Sequence, residues 1–256
     1  MPAPRRRALT AAAAVAALLA PATPAVADAA AGNAPMIALS PHHLGPHGLI
    51  SHGTSANWSG YAATSTNGEK FTSVSAEWNE PTGLCTDQDT YSSFWVGLDG
   101  DGSNSVEQTG SEVDCSNGQP QYYSWYEMYP AYPKNFSDPV AAGDHFVASV
   151  TSNGSGTFLL DLADTTQGWH HSVRKTLRSA RLASVEVIAE APSTLAGPLP
   201  LTDFGTVDFT GATANGRPIG DFKPEKIDMA TRTHTVLATT SPLDGGSDFS
   251  VTWQHS

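Results

Sequence analysis

The stretch ASVEVIAEAP, residues 183–192, has the alternation of apolar and polar residues that is typical of a β-strand. Successive side chains of a strand point to opposite sides, so the apolar residues fall on one face. The opposite face carries two glutamates, Glu186 and Glu190, around Ile188. One face can therefore enter a core, and the other is either solvated or crossed by a binding groove.

Similar short segments recur between Gly, Asn and Pro from residue 55 to residue 256. They are SGYAATS, FTSVSAEWNEP, SSFWVGLDG, SVEQTGSEV, QYYSWYEMYP, DHFVASVTS, TFLLDLAD, VEVIAEAP, VDFTGATANG, HTVLATTSP and FSVTWQ. About a dozen short strands without a convincing amphipathic helix predict an all-β fold, an antiparallel β-sandwich. The best helical candidate, SVRKTLRSARLASV, is equally compatible with a basic strand and a loop.

The N-terminus has the pattern of a secretory signal peptide. Three arginines precede an Ala, Val and Leu run that is too short for a stable membrane span, and the small residues Ala25-Val26-Ala27 suit a cleavage site. We therefore predict a signal peptide over residues 1–27 and a secreted, extracellular protein. Residues 28–54 show no period of 2 or 3.6 and are predicted to be a linker or a short prosegment, followed by one domain over 55–256.

The predicted linker contains four of the nine histidines: His42, His43, His47 and His52. A solvated polar tether, a metal-binding segment and a prosegment that responds to pH are all compatible with this composition. The third interpretation is of interest because imidazoles become charged below about pH 6.5.

The charge balance argues against two classes of partner. Removal of residues 1–27 takes three of the 13 Lys and Arg and none of the 25 Asp and Glu, which leaves ten cations against 25 anions, a formal charge of −15. Such a surface repels nucleic acids and anionic membranes. We expect neither partner, and we expect a monomer.

Cys85 and Cys115 are the only cysteines, and in an oxidising compartment they are expected to form one disulfide. No histidine lies close in sequence to either cysteine, so a zinc site is not expected. The chain also lacks a G-x-S-x-G elbow, an H-E-x-x-H motif and a P-loop. A Ser-His-Asp triad stays open, although no local pattern favours one, and we predict no metal and no cofactor.

Aromatic and acidic residues cluster in three segments. These contain Trp58, Trp95 with Asp99, and Trp125 with Tyr126, Glu127 and Tyr129. Aromatic residues on strands usually pack in a core. Several of them beside acids can also form a groove for an extended peptide or sugar, and composition does not decide between these polymers.

Glu186 and Glu190 are a poor acid and nucleophile pair for a glycosidase. Such carboxyls lie about 5 to 9.5 Å apart, whereas four residues along a strand span about 13 Å. A catalytic glutamate in this strand would take its partner from another strand.

Five separated motifs resemble the secreted glutamic peptidases, the eqolisins, in a form typical of bacteria. They occur in the same order and at similar spacing: NWSGY at 57–61, WVGLDG at 95–100, QTG at 108–110, WYEMYP at 125–130 and VEVIAE at 185–190. The resemblance implies two curved antiparallel sheets, as in legume lectins and bacterial glucanases, with a peptide groove on the concave face. It further implies protein or peptide substrates.

The same resemblance implies that Gln108 and Glu190 are the catalytic pair and that Glu186 is auxiliary. The groove residues that it implies are Trp58, Trp95, Asp99, Trp125, Tyr126 and Glu127. An ionised glutamate could take a proton from water and return it to the leaving amine, and an uncharged glutamine could donate to the oxyanion. A pKa near 4.3 for such a glutamate implies work in acid, although the residues do not show whether it starts ionised or protonated.

The sequence thus predicts an acid-acting secreted endopeptidase. The alternative is a lectin-like sandwich that binds polysaccharide without catalysis, and a glycosidase is the third interpretation.

Overall fold

The structure is a computed structural model, and it describes Met1 and residues 50–51, 53–194 and 197–256. The predicted signal peptide beyond Met1, most of the predicted linker and all four of its histidines lie outside the described residues. Within the described part of the chain, no helix is long and apolar enough to span a membrane. The same part contains no group of three or more His, Cys, Asp or Glu side chains arranged to hold a metal ion.

The described residues form strands, with one 3₁₀-helix at Ile219–Phe222. The strands are β1 Ile50–Ser51, β2 Thr54–Ser55, β3 Trp58–Thr64, β4 Ser73–Asn79, β5 Thr90–Leu98, β6 Val106–Ser116, β7 Gln119–Tyr129, β8 Lys134–Asn135, β9 His145–Ser152, β10 Thr157–Asp164, β11 Trp169–Thr176, β12 Ser184–Glu190, β13 Ser193–Thr194, β14 Gly197–Pro198, β15 Thr206–Ala214, β16 Arg217–Pro218, β17 Glu225–Ala230, β18 Val236–Thr240 and β19 Phe249–Trp253. Strand pairing therefore extends back to Ile50, before the predicted start of the domain.

Two sheets can be traced through the strand pairings. The front sheet runs β17-β3-β12-β5-β6-β7-β8, and all of these pairs are antiparallel. The back sheet runs β11-β10-β9-β4-β15-β19-β18-β17, again with antiparallel pairs. Strand β17 belongs to both, so it joins the sheets along one edge. The predicted antiparallel sandwich is confirmed.

The core lies between the two sheets. Strand β12 contributes Val185, Val187 and Ala189, as its alternation predicted, and back-sheet strands contribute residues such as Phe146 and Leu160. All five are at most 1% exposed. Burial of large apolar side chains stabilises a fold by about 1.5–3 kcal/mol each, so this layer holds the sheets together.

The ambiguous segment SVRKTLRSARLASV is not a helix. Its first residues belong to the back-sheet edge strand β11, and its last residues begin β12. Along β11 the residues alternate between partly buried and exposed, so the period is that of a strand. The predicted disulfide between Cys85 and Cys115 is present. It ties the loop before β5 to the end of β6.

Candidate active site

Three rows of side chains cross the front face, which we define as the face of the front sheet turned away from the core. The strand register puts the residues of each row opposite one another on β12, β5, β6 and β7. Row 1 is Glu186, Gly97, Gln108 and Glu127. Row 2 is Ile188, Trp95, Gly110 and Trp125. Row 3 is Glu190, Ser93, Glu112 and Tyr123.

An apolar cluster occupies the middle of this face. It contains Trp58, Ala62, Trp95, Val106, Trp125, Ile188 and Ile227. The rings of Trp58 and Trp95 meet edge to face with centroids 5.2 Å apart. Three of the predicted groove tryptophans are therefore together on the front face.

Two glycines make room for the Trp95 side chain. A Cβ on Gly110 would lie 2.0 Å from the carbonyl oxygen of Phe94 and 2.7 Å from Trp95 Cβ. A Cβ on Gly97 would lie 2.9 Å from the Trp95 ring and 3.2 Å from Gln108 Cβ. Since contacts below 3.0 Å require a shift of one partner, glycine at these positions lets the Trp95 ring lie flat beside Gln108.

Both oxygens of Glu190 accept hydrogen bonds. Asn57 Nδ2 donates to Oε1 over 3.0 Å, and Trp95 Nε1 donates to Oε2 over 2.8 Å. Burial raises the pKa of Glu190 to about 7, although the hydrogen bonds from Trp95 and Asn57 oppose this rise. The near-normal pKa expected from the sequence is therefore wrong, because only 6% of the residue is exposed.

Gln108 and Glu127 form a direct pair in row 1. Gln108 Nε2 donates to Glu127 Oε2 over 2.5 Å. Burial raises the pKa of Glu127 well above its usual value, the hydrogen bond from Gln108 opposes this, and the charge of Glu190 raises it further. Glu127 thus lies within the electrostatic reach of Glu190, although the register separates them by three strands and four residues. Glu190 therefore acts on Glu127 through its charge, across the width of the front face.

Glu186 is in the same row as Gln108, yet its carboxyl is directed elsewhere. Oε1 accepts a hydrogen bond of 2.9 Å from the backbone N–H of Asp101, in the loop after β5. Burial raises the pKa of Glu186 to about 8, opposed by hydrogen bonds from Ser184 and from the Asp101 backbone. The carboxyl therefore supports that loop, and it does not share the hydrogen-bond partners of Glu190.

Two predicted groove residues are not on the front face. Asp99 is fully buried and accepts hydrogen bonds of 2.6 Å from the backbone N–H groups of Leu182 and Ala183. Its carboxylate fixes the chain before β12. Tyr126 alternates to the core side of β7, where its ring lies 5.6 Å from that of Phe136. The groove roles of both residues stay predictions.

A cavity of about 380 Å³ lies elsewhere on the molecule. Its lining includes Leu84, Cys85 and Trp253 but neither Gln108, Glu190 nor any predicted groove residue.

The family model for the peptidase A4 family matches residues 56–253. This chain belongs to the peptidase A4 family. The resemblance to the glutamic peptidases is thereby confirmed, on a match that covers every strand of the front sheet.

Aspergillopepsin-2 of Aspergillus niger has a related sequence. The two chains are 32% identical over 144 residues, which is 54% of this chain and 51% of that protein. This chain thus spans about half the length of the curated relative that it matches.

Solved structures of the family share the fold. Scytalido-glutamic peptidase with a transition-state analog inhibitor is 24% identical, with a TM-score of 0.67 over 78% of this chain and 98% of that chain. Aspergilloglutamic peptidase from Aspergillus niger is 28% identical, with a TM-score of 0.58 over 64% of this chain and 99% of that chain. An eqolisin, SCP-B, in complex with the tripeptide Ala-Ile-His has a TM-score of 0.63 and covers 78% of this chain and 98% of that chain at 23% identity.

The sequence analysis did not single out Asn57, which donates to Glu190, or Glu112, which lies in the same row as Glu190. Asn57 is the first residue of the NWSGY motif, and its amide also donates to Ser193 Oγ over 3.3 Å. Glu112 lies four residues after Gln108, on the same face of β6. Period-2 alternation from Gln108 was the signal that could have located Glu112.

Proposed function

We propose that this member of the peptidase A4 family is an endopeptidase in which Glu190 and Gln108 act on the scissile peptide bond. The observation that carries the proposal is the position of both residues on the front face of one sheet. Glu190 is held by Asn57 and Trp95, and its charge reaches the carboxyl that is hydrogen bonded to Gln108.

The protonation state of Glu190 suggests the order of proton transfers. Because its pKa is raised to about 7, Glu190 is protonated in acid. It can first donate to the scissile carbonyl oxygen, and the resulting carboxylate then takes a proton from the attacking water. That proton passes to the leaving nitrogen as the C–N bond breaks. A hydroxyl proton of the tetrahedral intermediate returns to Glu190 as the new carboxyl group forms.

Gln108 contributes an uncharged donor. Its amide N–H can stabilise the carbonyl oxygen as negative charge builds there, a role whose loss typically costs about 10²- to 10³-fold in rate. Glutamine also avoids the repulsion that forces two neighbouring carboxylates to share a proton. The pair therefore needs only one titrating residue for the proton transfers.

The test is proteolysis of a denatured protein substrate across the acid range by three variants. We expect Glu190→Gln and Gln108→Ala each to lose at least about 10²-fold in kcat/KM. Glu186→Gln is the matched comparison, since it changes the other glutamate of the same strand face. Full activity in Glu190→Gln together with inactivity in Glu186→Gln would transfer the catalytic role to Glu186.

Secretion is part of the proposal. It is supported by the signal-like N-terminus and by the disulfide between Cys85 and Cys115. Polysaccharide binding gains no support, because the family model that matches this chain is that of a peptidase family.

A further inference from the structure

The amide of Gln108 has two ends, and only one of them can stabilise an oxyanion. Rotation by 180° about the last side-chain bond exchanges Nε2, a donor, with Oε1, an acceptor. In the structure Nε2 faces Glu127. Oε1 is buried, and among the described residues it has no hydrogen-bond partner. The end that would repel an oxyanion is therefore the end that is left without a partner.

Glu127 also has an oxygen atom that lacks a hydrogen-bond partner among the described residues. Its Oε1 is also buried without a partner in the described part of the chain, and the residue is 2% exposed. A carboxylate can only accept hydrogen bonds, whereas a protonated carboxyl can also donate. If Glu127 carries a proton, it can donate to Gln108 Oε1, and one such hydrogen bond satisfies a buried atom on each residue. Buried polar atoms that stay unpaired are destabilising, so this hydrogen bond is favoured.

We propose that Glu127 is a positioning residue that sets which end of the Gln108 amide faces the substrate, and this proposal rests on the proposed function. A protonated Glu127 donates to Gln108 Oε1 and turns Nε2 toward the reacting carbonyl oxygen. An ionised Glu127 accepts from Nε2 and turns Oε1 there instead. The oxyanion donor is therefore present in acid and is withdrawn as Glu127 ionises.

The surroundings of Glu127 favour the protonated form in acid. Glu190 on β12 is the titrating group whose charge acts on it, and Gln108 on β6 is uncharged. On the other neighbouring strand, Lys134 of β8 pairs with Tyr126, whose side chain is on the core side, and Lys134 is exposed. No Lys, Arg or His forms an ion pair with Glu127 within the described residues. Burial therefore acts on Glu127 without a compensating cation.

Kinetics distinguish this role from a merely structural one. A glutamine at position 127 can donate to Gln108 Oε1 at every pH, so we expect Glu127→Gln to retain kcat at pH 4 to within about tenfold. Glu127→Ala should lower kcat by about 10²- to 10³-fold, with KM little changed. Where pH is high enough for both Glu190 and Glu127 to lose protons, kcat/KM of the wild type should fall by about 100-fold per pH unit. Glu127→Gln should fall by only about tenfold per unit.

The control is Glu112→Gln, which neutralises a buried carboxyl of the same face that has no hydrogen bond to Gln108. In Glu112→Gln, kcat/KM should fall with rising pH as steeply as in the wild type. Two results would overturn the proposal. One is a fall of kcat/KM with pH in Glu127→Gln that is as steep as in the wild type. The other is equal activity of Glu127→Ala and Glu127→Gln at pH 4.

A second measurement does not depend on catalysis. In protein labelled with ¹⁵N-glutamine and carrying Glu190→Gln, the Gln108 side-chain amide signals should shift as pH rises and Glu127 ionises. The double variant Glu190→Gln with Glu127→Gln should show no such shift. A shift that persists in the double variant contradicts the switch. Absence of proteolysis by the wild type at every pH would instead contradict the proposed function and leave this measurement interpretable.

Discussion

Trp95 connects Glu190 to Gln108 through the two ends of one indole. Its Nε1 donates to Glu190 Oε2 over 2.8 Å. The far edge of its ring lies over Gly97, where an added Cβ would be 2.9 Å from the ring and 3.2 Å from Gln108 Cβ. The indole thus spans the front face from Glu190 in row 3 to Gly97, the neighbour of Gln108 in row 1.

Trp95→Phe should shift the pH dependence of activity. The indole hydrogen bond lowers the pKa of Glu190, because a donor stabilises the charged carboxylate. Phenylalanine keeps most of the ring and removes the donor, so the pKa should rise. If Glu190 starts protonated, the alkaline limb of kcat/KM should move to higher pH.

Trp125→Phe is the matched control for this shift. Trp125 lies in row 2 beside Trp95, and its Nε1 is buried without a partner in the described part of the chain. Trp125→Phe should leave the alkaline limb of the kcat/KM profile at the same pH as in the wild type. A limb that moves to lower pH in Trp95→Phe would show that the indole does not act on Glu190 as a donor.

Gly97→Ala should reduce activity more than stability. The new methyl group would contact both the Trp95 ring and Gln108, and its 2.9 Å approach forces the ring to move. Displacement of catalytic groups by about 1 Å can cost about 10²-fold, so kcat/KM should fall by about 10- to 100-fold. Gly83→Ala is the comparison, since its methyl group would come 2.7 Å from Val113. It should lower the Tm without such a loss of activity.

Replacement of Cys85 and Cys115 by serine should destabilise the fold. The disulfide closes a loop with a sequence separation of 30, and by chain entropy such a cross-link contributes on the order of 3 to 4 kcal/mol. The measurement is denaturant unfolding of the double variant beside the wild type. An unchanged free energy of unfolding would mean that the loop is already ordered in the unfolded state.

The sequence of β12 predicted its two faces correctly, because alternation is a local property. The core side holds Val185 and Val187, and the front face holds both glutamates. The partners of those glutamates were not predictable, since pairing register and side-chain direction depend on other strands. Glu186 is in row with Gln108, yet its carboxyl is directed to the Asp101 backbone.

Two of the predicted groove residues have partners away from the front face, for separate physical reasons. Tyr126 lies between two front-face residues of β7, so alternation puts it on the core side, and this was readable from the sequence. Asp99 follows the end of β5, and its carboxylate accepts hydrogen bonds from the backbone N–H groups of Leu182 and Ala183. That contact has a separation of more than 80 residues, and no local pattern reports it.

The fold itself should lose stability as pH rises, and Glu107 allows a direct test. It is fully buried, and among the described residues neither of its oxygens has a partner within hydrogen-bond geometry. Burial raises its pKa to about 8, and the charge of Asp99 adds to the rise. The unfolded value is about 4.3, so the folded protein retains this proton between the two values. Its contribution to stability is complete below about pH 4.3 and is lost as pH rises to about 8, because the folded state then binds more protons than the unfolded state.

Glu107→Gln removes that dependence, because glutamine has no proton to lose. We expect the variant to gain Tm relative to the wild type as the buffer changes from pH 4 to pH 8, measured by calorimetry at both values. Glu69→Gln, at an exposed position, should show the same pH dependence as the wild type. Other buried carboxyls, such as Glu80, whose pKa is also raised to about 8 by burial, remain in the variant, so its Tm should still fall with pH but less steeply. A Tm difference between variant and wild type that is constant from pH 4 to pH 8 would mean that Glu107 does not keep its proton in the folded protein.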